Sequence, residues 1–225
     1  MGSAWKAVAA AALSVVLAAC GGGGDDSPAS EGSTSVSGAQ VVANVKSSNI
    51  DFLPANRPAG TWRWSGTPTQ RIAVYVPDPV GATEQDYAAK AATAITVLNA
   101  KLAGLLVLER IDSIPTSGNY IQVSYGTAYV PPGSTDYASY CANVSTGMGL
   151  GNVIIPDSQN GIASSTVYVN LGNGRCNVTQ DIVTHEFAHA LGLNSHFSGF
   201  GNDGPVSAMF DALATLYGNA QSTTA

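Results

Sequence analysis

The stretch THEFAHALGLNSHFSGF, residues 184–200, contains all three histidines of this 225-residue chain. Its first half holds an HExxH pattern formed by His185, Glu186 and His189. Positions i and i+4 of an α-helix share one face, so the two imidazoles can reach one Zn²⁺ ion. Glu186 lies one step round the helix, where it can take a proton from a water bound to that metal. The pattern therefore predicts a catalytic zinc site on a helix with apolar flanks.

The same stretch resembles the metzincin peptidases, whose signature is HExxHxxGxxH followed by a methionine-containing turn. Four residues match in register: His185, Glu186, His189 and Gly192. We expect Gly192 to end the helix and let the chain reverse sharply. The segment PVSAMFDAL, residues 205–213, resembles the Met-turn, which implies that Met209 is an apolar floor beneath the zinc. The resemblance is specific only over 185–211.

The third ligand departs from the metzincin pattern. In that family the third histidine comes six residues after the second, which here is Ser195, whereas His196 is one residue further along. We predict that His196 is the third ligand, because imidazole suits Zn²⁺ better than a nearby carboxylate does. Asp203 and Asp211 are the alternatives, and either would indicate an aspzincin-type site.

The periodicity of the rest of the chain predicts an α+β fold with a mixed sheet. The predicted strands are 70–78, 105–110, 119–126 and 165–172. The predicted helices are 84–104, a helix that is capped by Asn177 or Thr179 and runs to about Leu191, and 211–218. Thr83 is the expected N-cap of the long helix. The metzincin resemblance implies a zincin-like layout with a long backing helix, an active-site helix, 165–172 as the antiparallel edge strand, and a small C-terminal subdomain containing the Met-turn. We expect the segment 127–151 to be an irregular rim of the site.

The N-terminus is typical of an exported chain. A lysine followed by a short apolar run predicts a signal peptide over 1–19, since the run is too short to span a membrane comfortably. The run ends in Leu-Ala-Ala-Cys, which resembles the lipobox of bacterial lipoproteins and implies lipidation of Cys20. Residues 20–40 are rich in Gly and Ser and predict a flexible linker, with a single domain over 41–225. The second position after the cysteine is Gly22 and not an aspartate, which indicates sorting to an outer membrane or the cell surface.

Two cysteines remain after Cys20, and we expect Cys141 and Cys176 to form a disulfide, because an exported chain meets an oxidising compartment. A zinc-ligating thiolate is the alternative. The formal net charge is −6 and no basic stripe is present, which argues against a nucleic-acid partner.

These features together predict a zinc endopeptidase, anchored to a membrane through Cys20 and acting as a monomer on protein or peptide substrates. An extended peptide would pair with the edge strand. Two alternatives remain: a lipoprotein that holds zinc without turnover, and a zinc hydrolase that acts on peptidoglycan. Glu186 argues against the first alternative, because a site that only holds zinc needs no carboxylate beside it.

Overall fold

The computed structural model of the chain describes residues 36–52, 60–64, 70–156, 161–162, 165–201 and 207–224. These residues form a five-stranded mixed sheet and four α-helices, which confirms the predicted α+β class. The strands are β1 (Gln70–Tyr75), β2 (Leu106–Ile111), β3 (Tyr120–Tyr125), β4 (Ala142–Ser145) and β5 (Thr166–Leu171). The helices are α1 (Gly38–Val45), α2 (Ala82–Lys101), α3 (Gln180–Ala190) and α4 (Ser207–Gly218), with a π-helical turn, Lys46–Ile50, directly after α1.

The sheet has the strand order β2-β1-β3-β5-β4. Strands β2, β1, β3 and β5 run parallel, and β4 alone is antiparallel to its neighbour β5. The central strands carry β-branched residues that are fully buried, such as Val74, Val123 and Val169. Burial of this kind is expected for parallel strands with covered faces.

The sequence placed the antiparallel edge strand in the wrong segment. The strand predicted for that role, at 165–172, is β5, which pairs in parallel with β3 and lies inside the sheet. The antiparallel edge is β4, which falls within the segment 127–151 that was predicted to be irregular. Its four residues, ANVS, include one β-branched side chain and lie among glycines and prolines, so they have little strand propensity. Pairing with β5 places them in the sheet.

Helix α2 is the predicted long helix, and its apolar stripe is buried as expected, including Tyr87, Ala91 and Leu98. Its N-cap is Gly81 and not Thr83. The first turn begins earlier because a carboxylate oxygen of Glu84 accepts a hydrogen bond from the Val80 amide at 2.6 Å. The buried stripe lets α2 pack against α3, so α2 is the backing helix of the site helix.

Helix α1 begins at Gly38, three residues inside the stretch predicted as linker. The Ser37 hydroxyl accepts a hydrogen bond from the Gln40 amide at 3.2 Å, and this capping starts the helix before the expected boundary at 41. Val41 and Val45, one turn apart, are buried. The predicted signal peptide and Cys20 lie outside the described residues. None of the helices that the structure describes combines the length and apolar character needed to cross a membrane.

Helix α4 begins at Ser207 and not near 211, so Met209 lies in its first turn. Met209 is buried, as predicted. Residues 202–206, directly before this helix, lie outside the described residues. Helix α4 packs against α1 and shares one hydrophobic core with the sheet, so it is not a separate subdomain. Its sequence, SAMFDALATLYG, explains this, because a helix that is apolar on most sides must be covered on most sides.

Candidate metal centre

Helix α3 presents the HExxH residues to an open cleft. The helix begins where the Thr179 hydroxyl accepts a hydrogen bond from the Ile182 amide at 3.3 Å. Val183, Phe187 and Ala190 recur at helical spacing and are fully buried, which fixes the inward face of the helix. The opposite side therefore directs His185 and His189 towards the cleft.

The three histidines meet at their Nε2 atoms. The Nε2 atom of His185 lies 2.9 Å from that of His189 and 2.9 Å from that of His196, and the last two are 3.1 Å apart. Three nitrogens of a tetrahedral site with Zn–N bonds of about 2.0–2.1 Å would be about 3.3 Å apart. The prediction that His196 joins the other two is confirmed: these residues can bind one metal ion, whose identity the geometry leaves open.

Gly192 has the predicted role at the end of the helix. Its φ of +110° is accessible to glycine at little cost. The amides of Gly192 and Leu193 donate to the carbonyls of His189 (2.9 Å) and Ala188 (3.2 Å), the hydrogen-bond pair of a Schellman motif. The reversal brings the Leu193 carbonyl to 2.5 Å from Nδ1 of His189. Nδ1 therefore carries the proton, and Nε2 has a lone pair for a metal.

Burial controls the charge states of two site residues. Burial, together with the neighbouring His185, lowers the pKa of His189 to about 3, which keeps the imidazole in the neutral form that binds metals. Glu186 is only 7% exposed although it lines the cleft. Burial raises the pKa of Glu186 to about 8 in the metal-free protein, and a bound cation would act in the opposite direction.

Phe200 is a site residue that the sequence analysis missed. Its ring centroid lies 4.6 Å from that of His185, 4.8 Å from that of His189 and 5.1 Å from that of His196. The side chain is 2% exposed, so it forms a buried apolar surface against all three imidazoles. This is the environment that the metzincin resemblance assigned to Met209. The only signal in the sequence was an aromatic residue four positions after His196, which is too common a pattern to be informative.

The cleft has a volume of about 730 Å³ and an edge formed by β4. Its lining includes Tyr129, Pro131, Tyr140, Asn143, Val144, Val153, Asp181, Glu186 and the three histidines. Asp181 and Glu186 are both acidic, and neither lysine nor arginine lies in the described lining. Asp181 is one turn before His185 on α3 and is exposed. The cleft is therefore partly apolar, and its described lining has acidic side chains but no lysine or arginine.

Cys141 and Cys176 are paired, with their Cα atoms 5.7 Å apart, as the sequence predicted. Cys141 lies directly before β4 and lines the cleft, whereas Cys176 lies shortly before α3. The bond therefore ties the rim of the cleft to the segment that leads into the site helix. Because each sulfur is bonded to the other, neither is a candidate ligand beside the histidines.

The alternative carboxylate ligands are not supported among the described residues. Asp211 lies on α4, outside both the histidine cluster and the lining of the cleft. Burial raises the pKa of Asp211, and the nearby Lys101 partly opposes that shift. Asp203 lies outside the described residues.

Neither the models of known protein families nor the curated proteins match this chain.

Proposed function

We propose that this protein is a zinc-dependent metalloendopeptidase of the metzincin type. The observation that carries the proposal is the meeting of three Nε2 atoms, within 3.1 Å of one another, in an open cleft that Glu186 also lines. Within the described part of the chain, the metal-ligating group consists of the three histidines alone. Three protein ligands are typical of catalytic zinc sites, whereas structural sites have four. The support for this function is therefore the local geometry of the site.

His185, His189 and His196 would hold the metal through Nε2. Zn²⁺ bound there would polarise a carbonyl group and lower the pKa of a water molecule. The Glu186 carboxylate would accept a proton from the attacking water on one of its oxygens and deliver it to the leaving amide nitrogen. The buried surroundings of Glu186 strengthen each of these electrostatic interactions, since few water molecules screen them.

The position of β4 supports an extended polypeptide as substrate. This strand lies at the edge of the sheet and also lines the cleft, so a peptide could lengthen the sheet beyond it. The proposed pairing thus moves from β5, where the sequence placed it, to β4. Main-chain hydrogen bonds of this kind suit unfolded or flexible protein segments. We further propose that the chain acts as a monomer, anchored to a bacterial membrane through Cys20.

The test replaces Glu186 by Gln and measures zinc content and casein hydrolysis side by side. We expect the wild-type chain to bind about one zinc ion, as a mononuclear site requires. We expect the variant to keep the metal and to lose at least about 100-fold in hydrolysis, because its amide cannot take a proton. Unchanged hydrolysis in the variant contradicts the mechanism. A wild type that binds zinc but digests cell walls and not casein would favour the peptidoglycan hydrolase, and one that digests neither would favour the zinc-holding lipoprotein.

A further inference from the structure

The turn that carries His196 is held by a remote part of the chain. It has one residue more than the metzincin pattern allows, and it contains no regular secondary structure. The amides of Asn194 and Ser195 both donate to the Ser48 carbonyl, at 2.8 and 3.4 Å. Ser48 belongs to an N-terminal strap, which consists of residues 46–52 and 60–64.

The Asn49 side chain hydrogen-bonds both to the turn and to the second part of the strap. Its side-chain Nδ2 donates to the carbonyls of Gly192 (2.7 Å) and Trp62 (2.8 Å). Its Oδ1 accepts a hydrogen bond from the Trp62 amide at 3.1 Å. Because Asn49 is fully buried, these bonds are shielded from water and costly to lose. One side chain therefore joins both parts of the strap to the end of the site helix.

The two carbonyls before Gly192 are held in the same way. The Trp64 indole N–H donates to the Ala190 carbonyl at 2.8 Å, and the Tyr217 hydroxyl donates to the Leu191 carbonyl at 2.9 Å. Carbonyls at a helix C-terminus have no partner within the helix, and here both partners come from remote side chains. The direction in which the chain leaves α3 is thus set from outside α3.

The π-helical turn explains how two consecutive residues of the strap can both bind the turn that follows α3. The Asp51 amide donates to the Lys46 carbonyl at 2.8 Å, the i to i−5 bond that defines a π-turn. The consecutive residues Ser48 and Asn49 are both fully buried here. The Ser48 carbonyl and the Asn49 side chain consequently bind the turn together. Single π-turns are uncommon and often occur at functional sites.

We propose that Asn49 is a positioning residue for the third metal ligand. By holding the Gly192 carbonyl, together with the Ser48 carbonyl that binds the next amides, it directs the lengthened turn so that Nε2 of His196 meets the other two imidazoles. The inference rests on the metal site of the proposed function but not on peptide hydrolysis. Asn49 is outside the described lining of the cleft, so its effect is on the geometry of the ligands.

The experiment measures zinc affinity and the Co²⁺ absorption spectrum of Asn49→Ala and Asn49→Asp in the full-length chain. Zinc affinity is obtained by competition with a chelator at fixed pH, and the Co²⁺ spectrum reports the coordination number. Loss of a residue that orients a metal ligand weakens metal binding by about 10–100-fold, and we expect that range. Asn49→Asp should bind zinc more weakly than Asn49→Ala, because a carboxylate oxygen would then face the two carbonyls.

Asn99→Ala is the matched control. Asn99, on α2, also makes two hydrogen bonds to one backbone residue, with the Leu108 carbonyl at 2.9 Å and its amide at 2.7 Å. Leu108 lies on β2, the sheet edge opposite to the β4 edge of the cleft. We expect it to lose stability and to keep the wild-type zinc affinity and Co²⁺ spectrum. Equal effects in the Asn49 and Asn99 variants, or unchanged zinc binding in both, would overturn the proposal.

Trp64→Phe covers the case in which the Asn49 variants do not fold. It keeps an aromatic ring and removes the N–H that binds the Ala190 carbonyl. We expect a severalfold loss of zinc affinity, and a wild-type value would overturn the positioning role of the strap. A wild-type chain that binds zinc without cutting peptides would contradict the proposed function alone. A wild-type chain that binds no zinc would contradict both the proposed function and the positioning role of Asn49.

Discussion

Phe200 stacks on His189 with ring centroids 4.8 Å apart and an interplanar angle of 28°, while the same ring meets His185 edge-on. All three imidazoles are packed against this buried ring, since the His196 centroid lies 5.1 Å from it. Aromatic contacts of this kind restrict rotation of the rings and exclude water from one side. The packing thus helps to fix the orientation of the three imidazoles.

Replacing Phe200 by Ala should weaken zinc binding by about tenfold, since the imidazoles would gain freedom that binding must then remove. Replacing it by Leu should have a smaller effect, because an apolar surface remains. Zinc affinity by chelator competition is the measurement, and thermal unfolding in the presence of EDTA gives the accompanying loss of stability. A Phe200→Ala chain with wild-type zinc affinity would show that the stacking has no part in metal binding.

Gly201 should not tolerate a side chain. Its φ is +90°, and a Cβ atom there would lie 2.7 Å from Nδ1 of His185, closer than real contacts allow. We expect Gly201→Ala to displace the His185 ring and to reduce zinc affinity sharply. Gly118→Ala is the control, because Gly118 has a similar φ of +86° but open space around it. That variant should lose about 1 kcal/mol of stability from backbone strain and keep its zinc. Equal zinc binding by the two variants would refute the prediction.

The identity of the third ligand can be tested with two variants. His196→Ala should lose about one zinc ion per chain and all peptidase activity, because two histidines alone make a weak site. Asp211→Asn should keep both, since Asp211 lies outside the cluster. Metal analysis after dialysis gives the answer, and retention of zinc by His196→Ala would point to a carboxylate ligand.

Asp211→Asn should also change stability with pH in a defined direction. Burial raises the pKa of Asp211, so the folded state disfavours the charged carboxylate relative to the unfolded chain. The free-energy cost of the charged carboxylate in the folded state grows as the pH rises above the ordinary carboxyl pKa, and it disappears below that pKa. The variant should therefore unfold at a slightly higher temperature than wild type near neutral pH and at the same temperature in acid.

Asp181 should favour substrates with a basic residue near the scissile bond. It is exposed in a cleft whose described lining has no lysine or arginine. For an exposed ion pair we expect Asp181→Asn to reduce the preference for a lysine peptide over its glutamine counterpart by about two- to fivefold. The ratio of kcat/KM for the two peptides is measured at low salt, with Asp112→Asn as a control on another surface. An unchanged ratio would remove this specificity.

The features that were predicted from the sequence are those that depend on a local pattern of residues. The HExxH spacing and Gly192 placed two ligands and the end of α3, and the stripe on α2 placed the backing helix. Elements that depend on distant partners were missed. Strand β4 is held by pairing with β5, and Phe200 contacts the three imidazoles only when α3 and the turn with His196 are packed together. Asn49 shows no motif, since its role arises from bonds to Gly192, 143 residues away.

The same long-range bond has a consequence for the order of folding. Contacts between residues far apart in sequence form only after the chain between them has been made and has collapsed. A nascent chain that still lacks Gly192 cannot close the strap on the turn, and without Tyr217 it also lacks a partner for the Leu191 carbonyl. The three imidazoles would then converge among the last events of folding, so that the candidate metal site would be complete only when synthesis of the whole domain has finished.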